Sequence, residues 1–446
     1  MIHTFEALGQ KLALDVGSGA LHQLDDIAFD ALNPDPAERA RLLSRYPADE
    51  ASAIIVELDE LRREGVIDVP DDYDASLLHE PGVVKAMCLH AAHDCNLRCR
   101  YCFAHDGTYS DPTRARMSVS VGKAALDWLI GKSGSRRALE ADFFGGEPLL
   151  NLRAVKEIVA YGRQRERETG KRFSFTITTN AVGLTDDAIH FINAEMDNCV
   201  LSLDGRREVH DRMRPDAGGH GSYDRALESA LKLVAARGEK SYYVRGTFTA
   251  YNLDFTNDAL ALADAGFEHI SVEPVVASED EPYALKQEHL PRILAEYDAL
   301  AAAYIERRRQ GRPFSFFHFN VDLENGPCLR KRLTGCGAGN EYVAVTPEGK
   351  LYPCHQFVGR EGWEIGDATT GAFNSAMQRV FADNHVLSKP DCRACWAKYF
   401  CSGGCCANAL SMNGRLDKPY ELACAMQRKR LELALAIEAM DLNEHN

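Results

Sequence analysis

Three cysteines at C-x3-C-x2-C spacing, Cys95, Cys99 and Cys102, stand in the run Cys95-Asn96-Leu97-Arg98-Cys99-Arg100-Tyr101-Cys102-Phe103. The run follows an apolar stretch, Val83, Val84, Ala86, Met87 and Leu89, that reads as a strand, so the thiols belong to the loop at its end. Three thiolates can hold three irons of a [4Fe–4S] cube, because soft sulfur ligands suit iron–sulfur clusters. The fourth iron is then open to a small molecule. Zinc is the competing reading, since His93 and His105 flank the run. A zinc site more often pairs C-x2-C units or adds His. A structural disulfide cluster is the third reading.

The chain of 446 residues is 45% hydrophobic, enough for a large core and two or three domains. No stretch approaches the roughly eighteen uninterrupted apolar residues of a membrane span. The start, Met1-Ile2-His3-Thr4-Phe5-Glu6, lacks the basic-then-apolar layout of a signal peptide. These features predict a cytoplasmic protein, where thiols stay reduced. Fourteen cysteines there point to metal or cluster ligation, not to disulfides. A net charge of −15 argues against a nucleic-acid partner, which needs clustered Lys and Arg, but leaves a basic peptide open. No internal repeat or low-complexity segment is evident.

The elements that must position the thiols fall into three regions. Residues 1 to 80 read as a small module. Leu12, Leu14 and Val16 alternate, Gly17-Ser18-Gly19 supplies a turn, and Leu21 and Leu24 continue beyond it, a hairpin signal. Two helical segments follow; in the second, Ile54, Leu58 and Leu61 share a face and Gly65 marks the C-cap, with Val66-Ile67 beyond it. Pro70-Asp71-Asp72-Tyr73-Asp74 reads as a linker. The hairpin-plus-helices order resembles the winged-helix leader-binding modules of peptide-modifying enzymes. That resemblance implies capture of an extended leader as an added strand at a sheet edge; a plain cap over the next domain is the alternative.

Over 81–315, expected strands at 83–91, 141–144, 173–179, 198–203, 242–249 and 269–276 alternate with amphipathic stretches such as 118–131, 151–168 and 223–236. Such alternation predicts an α/β fold with a partial (β/α)6 TIM-type barrel, its chemistry on loops at the C-terminal strand ends. Phe143-Phe144-Gly145-Gly146-Glu147-Pro148 ends the second strand. Paired glycines let backbone approach a ligand, and a carboxylate there can hold an ammonium. Gly-Gly is also ordinary turn chemistry. Thr178-Thr179-Asn180 ends the third strand, where Asn or Thr could bond ribose hydroxyls; Leu201-Ser202-Leu203-Asp204-Gly205 ends the fourth, and the fifth carries Arg245. Asp204 could instead cap its turn.

The C-terminal region, 316–446, holds Cys336, Gly349 and Cys354, then Cys392-x2-Cys395-x5-Cys401-x3-Cys405, then Cys424. Seven ordered thiols read as two further [4Fe–4S] clusters. A zinc ribbon would use four and leave three unexplained. Two four-thiolate clusters need eight ligands, and Cys328, eight residues before Cys336, is placed to be the eighth. Cys88 and Cys199 sit in expected strands as packing residues, and Cys406 reads as a spare thiol beside Cys405.

The C-x3-C-x2-C-aromatic run resembles the radical SAM superfamily, and the seven-cysteine pattern resembles its SPASM domain. The runs Leu89-His90-Ala91-Ala92-His93-Asp94-Cys95-Asn96-Leu97-Arg98-Cys99, Leu351-Tyr352-Pro353-Cys354-His355-Gln356-Phe357 and Cys395-Trp396-Ala397-Lys398-Tyr399-Phe400-Cys401-Ser402-Gly403-Gly404-Cys405 are similar to those of thioether-forming maturases of SCIFF-type and ranthipeptide precursors. The resemblance implies S-adenosylmethionine (SAM) on the open iron, with Phe103, Gly145, Gly146, Glu147, Asn180, Ser202, Asp204 and Arg245 around it. Glu147 and the glycines would take its amino group, Ser202 and Arg245 its carboxylate. His210-Asp211 and Arg214 recur at this position in related peptide modifiers, beside the reading of a solvated loop. Auxiliary cluster I would use Cys336, Cys354 and Cys405, with Cys328 as a further ligand or an open iron in its place. Cluster II would use Cys392, Cys395, Cys401 and Cys424. The resemblance departs at Cys406, where a small residue is expected. It further implies a Cys-containing precursor peptide with a leader, hydrogen abstraction from a precursor carbon, bonding of a Cys sulfur to it, and an electron donor such as ferredoxin or flavodoxin. Carbon–carbon cross-linking, sulfatase-type Cys or Ser oxidation and cross-linking of a dehydrogenase subunit are the alternatives.

Overall fold

The structure is a computed structural model describing residues 1–71, 73, 78, 82–323 and 328–444. Asp72 and Asp74 of the expected linker, and the expected boundary at 80–81, lie outside the described residues. The chain opens with an antiparallel sheet of β1 (Ile2–Ala7), β2 (Gln10–Asp15) and β3 (Leu21–Gln23), in that order. The expected hairpin is β2–β3, with Leu14 opposite Leu21. Sequence reading missed β1, whose turn on Leu8 and Gly9 (φ 52° and 76°) lacks the Asn-Gly or Asp-Gly signal.

Three helices follow, Asp26–Ala31, Pro36–Leu43 and Ala48–Arg63, where two segments were expected. Asp25 accepts from Ala28 N at 2.8 Å, and Asp35, just ahead of Pro36, accepts from Ala37 N at 2.9 Å. The second cap restarts the helix. Leu58, Ala31 and Ile67 make a small core with Ile54 and Leu61. The sheet sends Phe5, Ala7, Leu12 and Leu14 into the main core instead. His3 stacks on Trp396 at 3.9 Å and bonds Glu432 at 3.0 Å, fastening this region to the C-terminal one.

Six parallel strands run side by side in chain order: β4 (Ala86–Ala92), β5 (Ala138–Gly145), β6 (Arg172–Thr179), β7 (Asn198–Ser202), β8 (Ser241–Phe248) and β9 (His269–Pro274). Helices such as 119–132, 152–169 and 223–235 cross between them. All six expected strands are present. The strand period of two divides their side chains. Met87, Leu89, Leu139, Phe143, Phe175 and Ile177 pack with Leu126, Leu129, Val155 and Ile158 of the helices in one continuous core. Cys88, His90, Asp142, Phe144, Ser202, Arg245 and Glu273 alternate with such residues and face the other side.

The sheet does not end with the barrel strands. β10 (Ser315–Phe316) extends it parallel to β9, and β11 (Tyr342–Val345) pairs parallel with β4. β12 (Lys350–Tyr352), β13 (Gly366–Asp367) and β14 (Ala372–Phe373) follow antiparallel. Because β11 grows off β4, the segment from Cys336 to Cys354 lies beside the strand that leads into Cys95. Among the described residues no helix is long and apolar enough to cross a membrane.

Candidate active site

Cys95, Cys99 and Cys102 follow β4 and act electrostatically on one another. Burial pushes Cys95 up to about 12 and Cys99 up to about 11, so each needs a metal or cation to ionise at neutral pH. The loop is tied down by Arg98 N to Pro215 O and Arg100 N to Met213 O, both 2.8 Å. Tyr101 donates to Asp204 Oδ2 at 2.5 Å, and Arg214 Nη1 donates to the Tyr101 hydroxyl at 2.9 Å. Asp204 Oδ1 accepts from Thr247 N at 3.1 Å and lies 3.7 Å from Arg214. Asp204 and Arg214 are buried, and Arg214 places a positive charge that favours the Cys99 thiolate. Asp204 thus has both oxygens on protein donors and acts on the loop.

His210 is buried and neutral, held down to about 2 by burial and then by Arg214. Its Nδ1 accepts from Asp204 N at 3.3 Å; its Nε2 lies 2.9 Å from Ser222 Oγ, which itself donates to Arg214 O at 2.6 Å. Nε2 is therefore the protonated nitrogen. Asp211 accepts from Tyr223 N at 2.9 Å. This stretch anchors the cysteine loop, and it is not a solvated loop.

The glycine pair approaches backbone. Gly146 N donates to Ala92 O at 2.8 Å and Glu147 N to Asp94 O at 2.9 Å. A Cβ on Gly145 (φ 117°) would strike Ala92 O, and one on Gly146 would strike Asp94 O. Gly107, which sequence reading passed over, has φ 81°, and a Cβ there would meet Cys95 Cβ at 2.8 Å. Gly146→Ala is expected to push the Asp94 carbonyl and Cys95 aside, lowering the iron bound after reconstitution while leaving the barrel's far-ultraviolet spectrum unchanged. Iron content equal to the parent's would show the contact to be unimportant.

Glu147 is buried, with Oε1 accepting from Thr179 Oγ1 at 2.8 Å and Leu149 N at 3.0 Å, and Oε2 from Asn180 N at 2.8 Å. Of the roughly four lone-pair directions of a carboxylate, one remains for a ligand. Asn180 Nδ2 donates to Asn96 Oδ1 at 2.7 Å and stands 3.7 Å from Cys95 Sγ. Ser202 and Arg245 are cross-strand partners, with Arg245 3.9 Å from Glu273 Oε1. Phe103 is 46% exposed, its ring 5.5 Å from His355 and 6.5 Å from Phe144. His93 bonds His90 at 3.0 Å, and His105 is exposed.

Asp142 lies near Cys88 and Tyr342, and its buried Oδ1 has no partner. Burial raises it to about 7, with Arg245 opposing. A folded-state value above the ordinary one contributes stability that is fully present below that ordinary value and is lost as pH rises towards 7. Asp142→Asn is expected to remove this fall, gaining on the order of 4 kcal/mol over the parent at pH 8 and little at pH 4, at about 1.4 kcal/mol per pH unit between the two values. Parallel melting-temperature profiles from pH 4 to 8 would count against it.

In the C-terminal region two thiol groups form. Cys336, Cys354 and Cys405 act on one another, Cys354 buried at the head of the turn His355–Phe357 and Cys405 ahead of the helix Cys406–Asn413. Cys406 acts on this group too; Cys328, exposed like Cys336 and Cys405, stands at the head of the helix Leu329–Thr334. Cys392, Cys395, Cys401 and Cys424 line a cavity of about 360 Å³. Burial pushes Cys392 up to about 11 and Cys424 up to about 12, with each raised further by other thiols of the set. The buried Lys389 opposes that rise at Cys336 and Cys392, one in each group. Among the described residues no three His, Cys, Asp or Glu side chains converge on one metal ion. Cys88 and Cys199 are fully buried.

A family model described as a 4Fe-4S single cluster domain matches residues 80–227, which include Cys95, Cys99 and Cys102. The cysteine-type anaerobic sulfatase-maturating enzyme of Clostridium novyi is 26% identical over 339 residues, covering 71% of this chain and 86% of that protein. The serine-type enzyme of Klebsiella aerogenes is 24% identical over 347 residues, covering 73% and 80%. The solved structure of anSMEcpe with bound AdoMet covers 81% of this chain and 100% of that one, with a TM-score of 0.67 and 18% identity. Streptococcus suis SuiB bound to S-adenosylmethionine covers 94% and 98%, with a TM-score of 0.56 and 14% identity. By these matches the chain is a homologue of radical SAM enzymes and shares the fold of structures solved with bound AdoMet. Over most of its length it is similar to the anaerobic sulfatase-maturating enzymes.

Proposed function

We propose that this chain joins a cysteine sulfur of a ribosomally made precursor peptide to a nearby carbon of the same peptide, as a thioether. The observation that carries the reading is where two maturase-like runs meet. The Leu89–Cys99 run lies in β4 and the loop that goes on to Phe103; the Leu351–Phe357 run begins in β12, and its His355 packs 5.5 Å from Phe103 and 5.1 Å from Phe144 of the neighbouring β5. The radical-generating loop and the first auxiliary group thus share one aromatic wall.

In this reading Cys95, Cys99 and Cys102 hold a [4Fe–4S] cluster, and two further clusters sit at the C-terminal thiol groups. The thiols that burial raises, among them Cys95, Cys99, Cys354, Cys392 and Cys424, fit that role, since ligation supplies the charge compensation they lack. Together, cluster and SAM supply reductive cleavage and hydrogen-atom abstraction. The remaining direction on Glu147 takes the SAM amino group. Ser202 and Arg245 take its carboxylate, Arg through its bidentate fork. Tyr101, Asp204 and Arg214 fix the loop. Residues 1–80 hold the leader, and β3, at the edge of the small sheet, is where its backbone would add. The SuiB structure that covers 94% of this chain was solved with precursor peptide SuiA, whereas anSMEcpe structures cover 80–81%. Ferredoxin or flavodoxin supplies the electron.

The test is the mass and alkylation of a co-expressed Cys-rich precursor. Each link removes one hydrogen from carbon and one from the thiol, so the product is expected to be about two mass units lighter per link. The linked cysteine resists alkylation after reduction, which separates a thioether from a disulfide. A precursor lacking its leader is turned over far more slowly. Hydrogen loss with every cysteine still alkylating would replace the thioether with a carbon–carbon link or desaturation. Sulfatase-type oxidation is favoured by the 26% identity over 71% of the chain; an uncrosslinked, oxidised Cys or Ser would select it.

A further inference from the structure

We propose that Asp71 is a positioning residue for the four thiols of the C-terminal cavity, acting through the buried Lys398. Cys392, Cys395, Cys401 and Cys424 line that cavity together with Lys398. Cys392 lies in the helix Pro390–Arg393 and Cys401 in the helix Lys398–Cys401, each of only four residues. Isolated helices that short are not stable in water, so tertiary contacts must fix the thiols they carry. Lys398 supplies such a contact. It is buried, and its ammonium donates at 3.1 Å to the carbonyl of Arg393, the last residue of the preceding helix, which closes the segment that holds Cys395. The same ammonium pairs with Asp71 Oδ2, the one carboxylate within ion-pair distance of it among the described residues. Asp71 Oδ1 accepts from the hydroxyl of the buried Tyr399. Both oxygens of one carboxylate thus fall on neighbouring residues between Cys395 and Cys401.

The small N-terminal sheet delivers this carboxylate. Asp15 ends β2, is fully buried, and accepts from Val69 N at 3.0 Å, two residues before Asp71. A Cβ on Gly17 would strike Val69 O, so residues 69–71 lie against the turn after β2. From β1, His3 stacks on Trp396, also between Cys395 and Cys401, and bonds Glu432 of the helix Glu421–Glu444 that carries Cys424. The region read as a leader module is therefore also a wall of the thiol cavity. Loss of the Asp71 carboxylate leaves a buried ammonium without its anion and releases the tie between the two short helices. It also adds one positive charge beside a bound cluster, which favours the reduced form because net charge sets the potential. That last effect rests on reading the cavity as an iron–sulfur centre; the loosening of the thiols does not.

The first measurement alkylates the metal-free, reduced full chain and follows each cysteine by mass spectrometry. Asp71→Asn should speed labelling of Cys395 and Cys401 about tenfold, since access limits the reaction of a thiol, with Cys95, Cys102 and Cys199 labelled as in the parent. Asp71→Glu, which keeps the charge, should stay within about twofold of the parent. If Asp71→Asn does not fold, Tyr399→Phe decides instead: it frees one oxygen of Asp71, keeps both charges, and should raise labelling of the same two cysteines about threefold. The second measurement is a redox titration of the reconstituted chain carrying Cys95→Ala, Cys99→Ala and Cys102→Ala. Adding Asp71→Asn should move one auxiliary midpoint potential to a more positive value, and Asp71→Glu should leave it in place. Unchanged labelling of Cys395 and Cys401, a rise shared by every thiol, or a rise as large in Asp71→Glu would each overturn the proposal. Iron bound at these thiols with an unmoved potential would overturn it as well. A chain that binds no iron there but keeps the labelling contrast would overturn the iron–sulfur reading and support the role of Asp71.

Discussion

Replacing Cys95, Cys99 and Cys102 together by alanine is expected to remove about four of roughly twelve irons per reconstituted chain and to abolish SAM cleavage. The loss should be complete, not graded. The three thiols lie on one loop, Cys95 and Cys99 held protonated by burial unless metal is bound, so removing all three removes the only soft ligands the described residues offer there. The loop's anchorage does not depend on them: the backbone bonds of Arg98 and Arg100 and the Tyr101–Asp204 bond persist. The triple variant should therefore fold, keep its auxiliary iron and melt close to the parent. Cleavage of SAM that survives the change would rule out this loop as the cluster site.

The cysteine loop was legible because its chemistry is local: the nine residues Cys95–Phe103 hold the three thiols and the aromatic after them, and the strand Ala86–Ala92 stands just before. The six barrel strands were legible because parallel strands covered by helices repeat at a regular spacing. Two kinds of feature were not. β11 is four residues long and gains its meaning only by pairing with β4, some 250 positions away, so no periodicity announces it. The Tyr101–Asp204–Arg214 network is likewise long-range. Its one signal was Tyr101 standing between two cysteines of the C-x3-C-x2-C run, and Asp204 read equally well as a turn cap. Gly145 and Gly146 were recognised as a close approach, but the partner is the cysteine loop's own backbone, which only the fold reveals.

Arg214→Met is expected to be the most damaging single change away from the thiols. Arg214 is buried, bonds Tyr101 and faces Asp204, so its loss leaves a buried carboxylate without its cation. Breaking a buried pair in this way costs about 3–5 kcal/mol. Asp204 already titrates at about 6, raised by burial against the pull of Arg214. With its folded value above the ordinary one, the stability it contributes is fully present below the ordinary value and is lost as pH rises through the folded one. Removing Arg214 raises that folded value, so the decline reaches further into the neutral range. The deficit of Arg214→Met should therefore be larger at pH 8 than at pH 5. Adding Asp204→Asn removes the uncompensated charge and should recover much of the melting temperature, while the Cys99 thiol still lacks its nearby cation and iron uptake stays low. An equal deficit at both pH values, or no recovery on adding Asp204→Asn, would mean that Arg214 stabilises the loop through packing and not through the charge of Asp204.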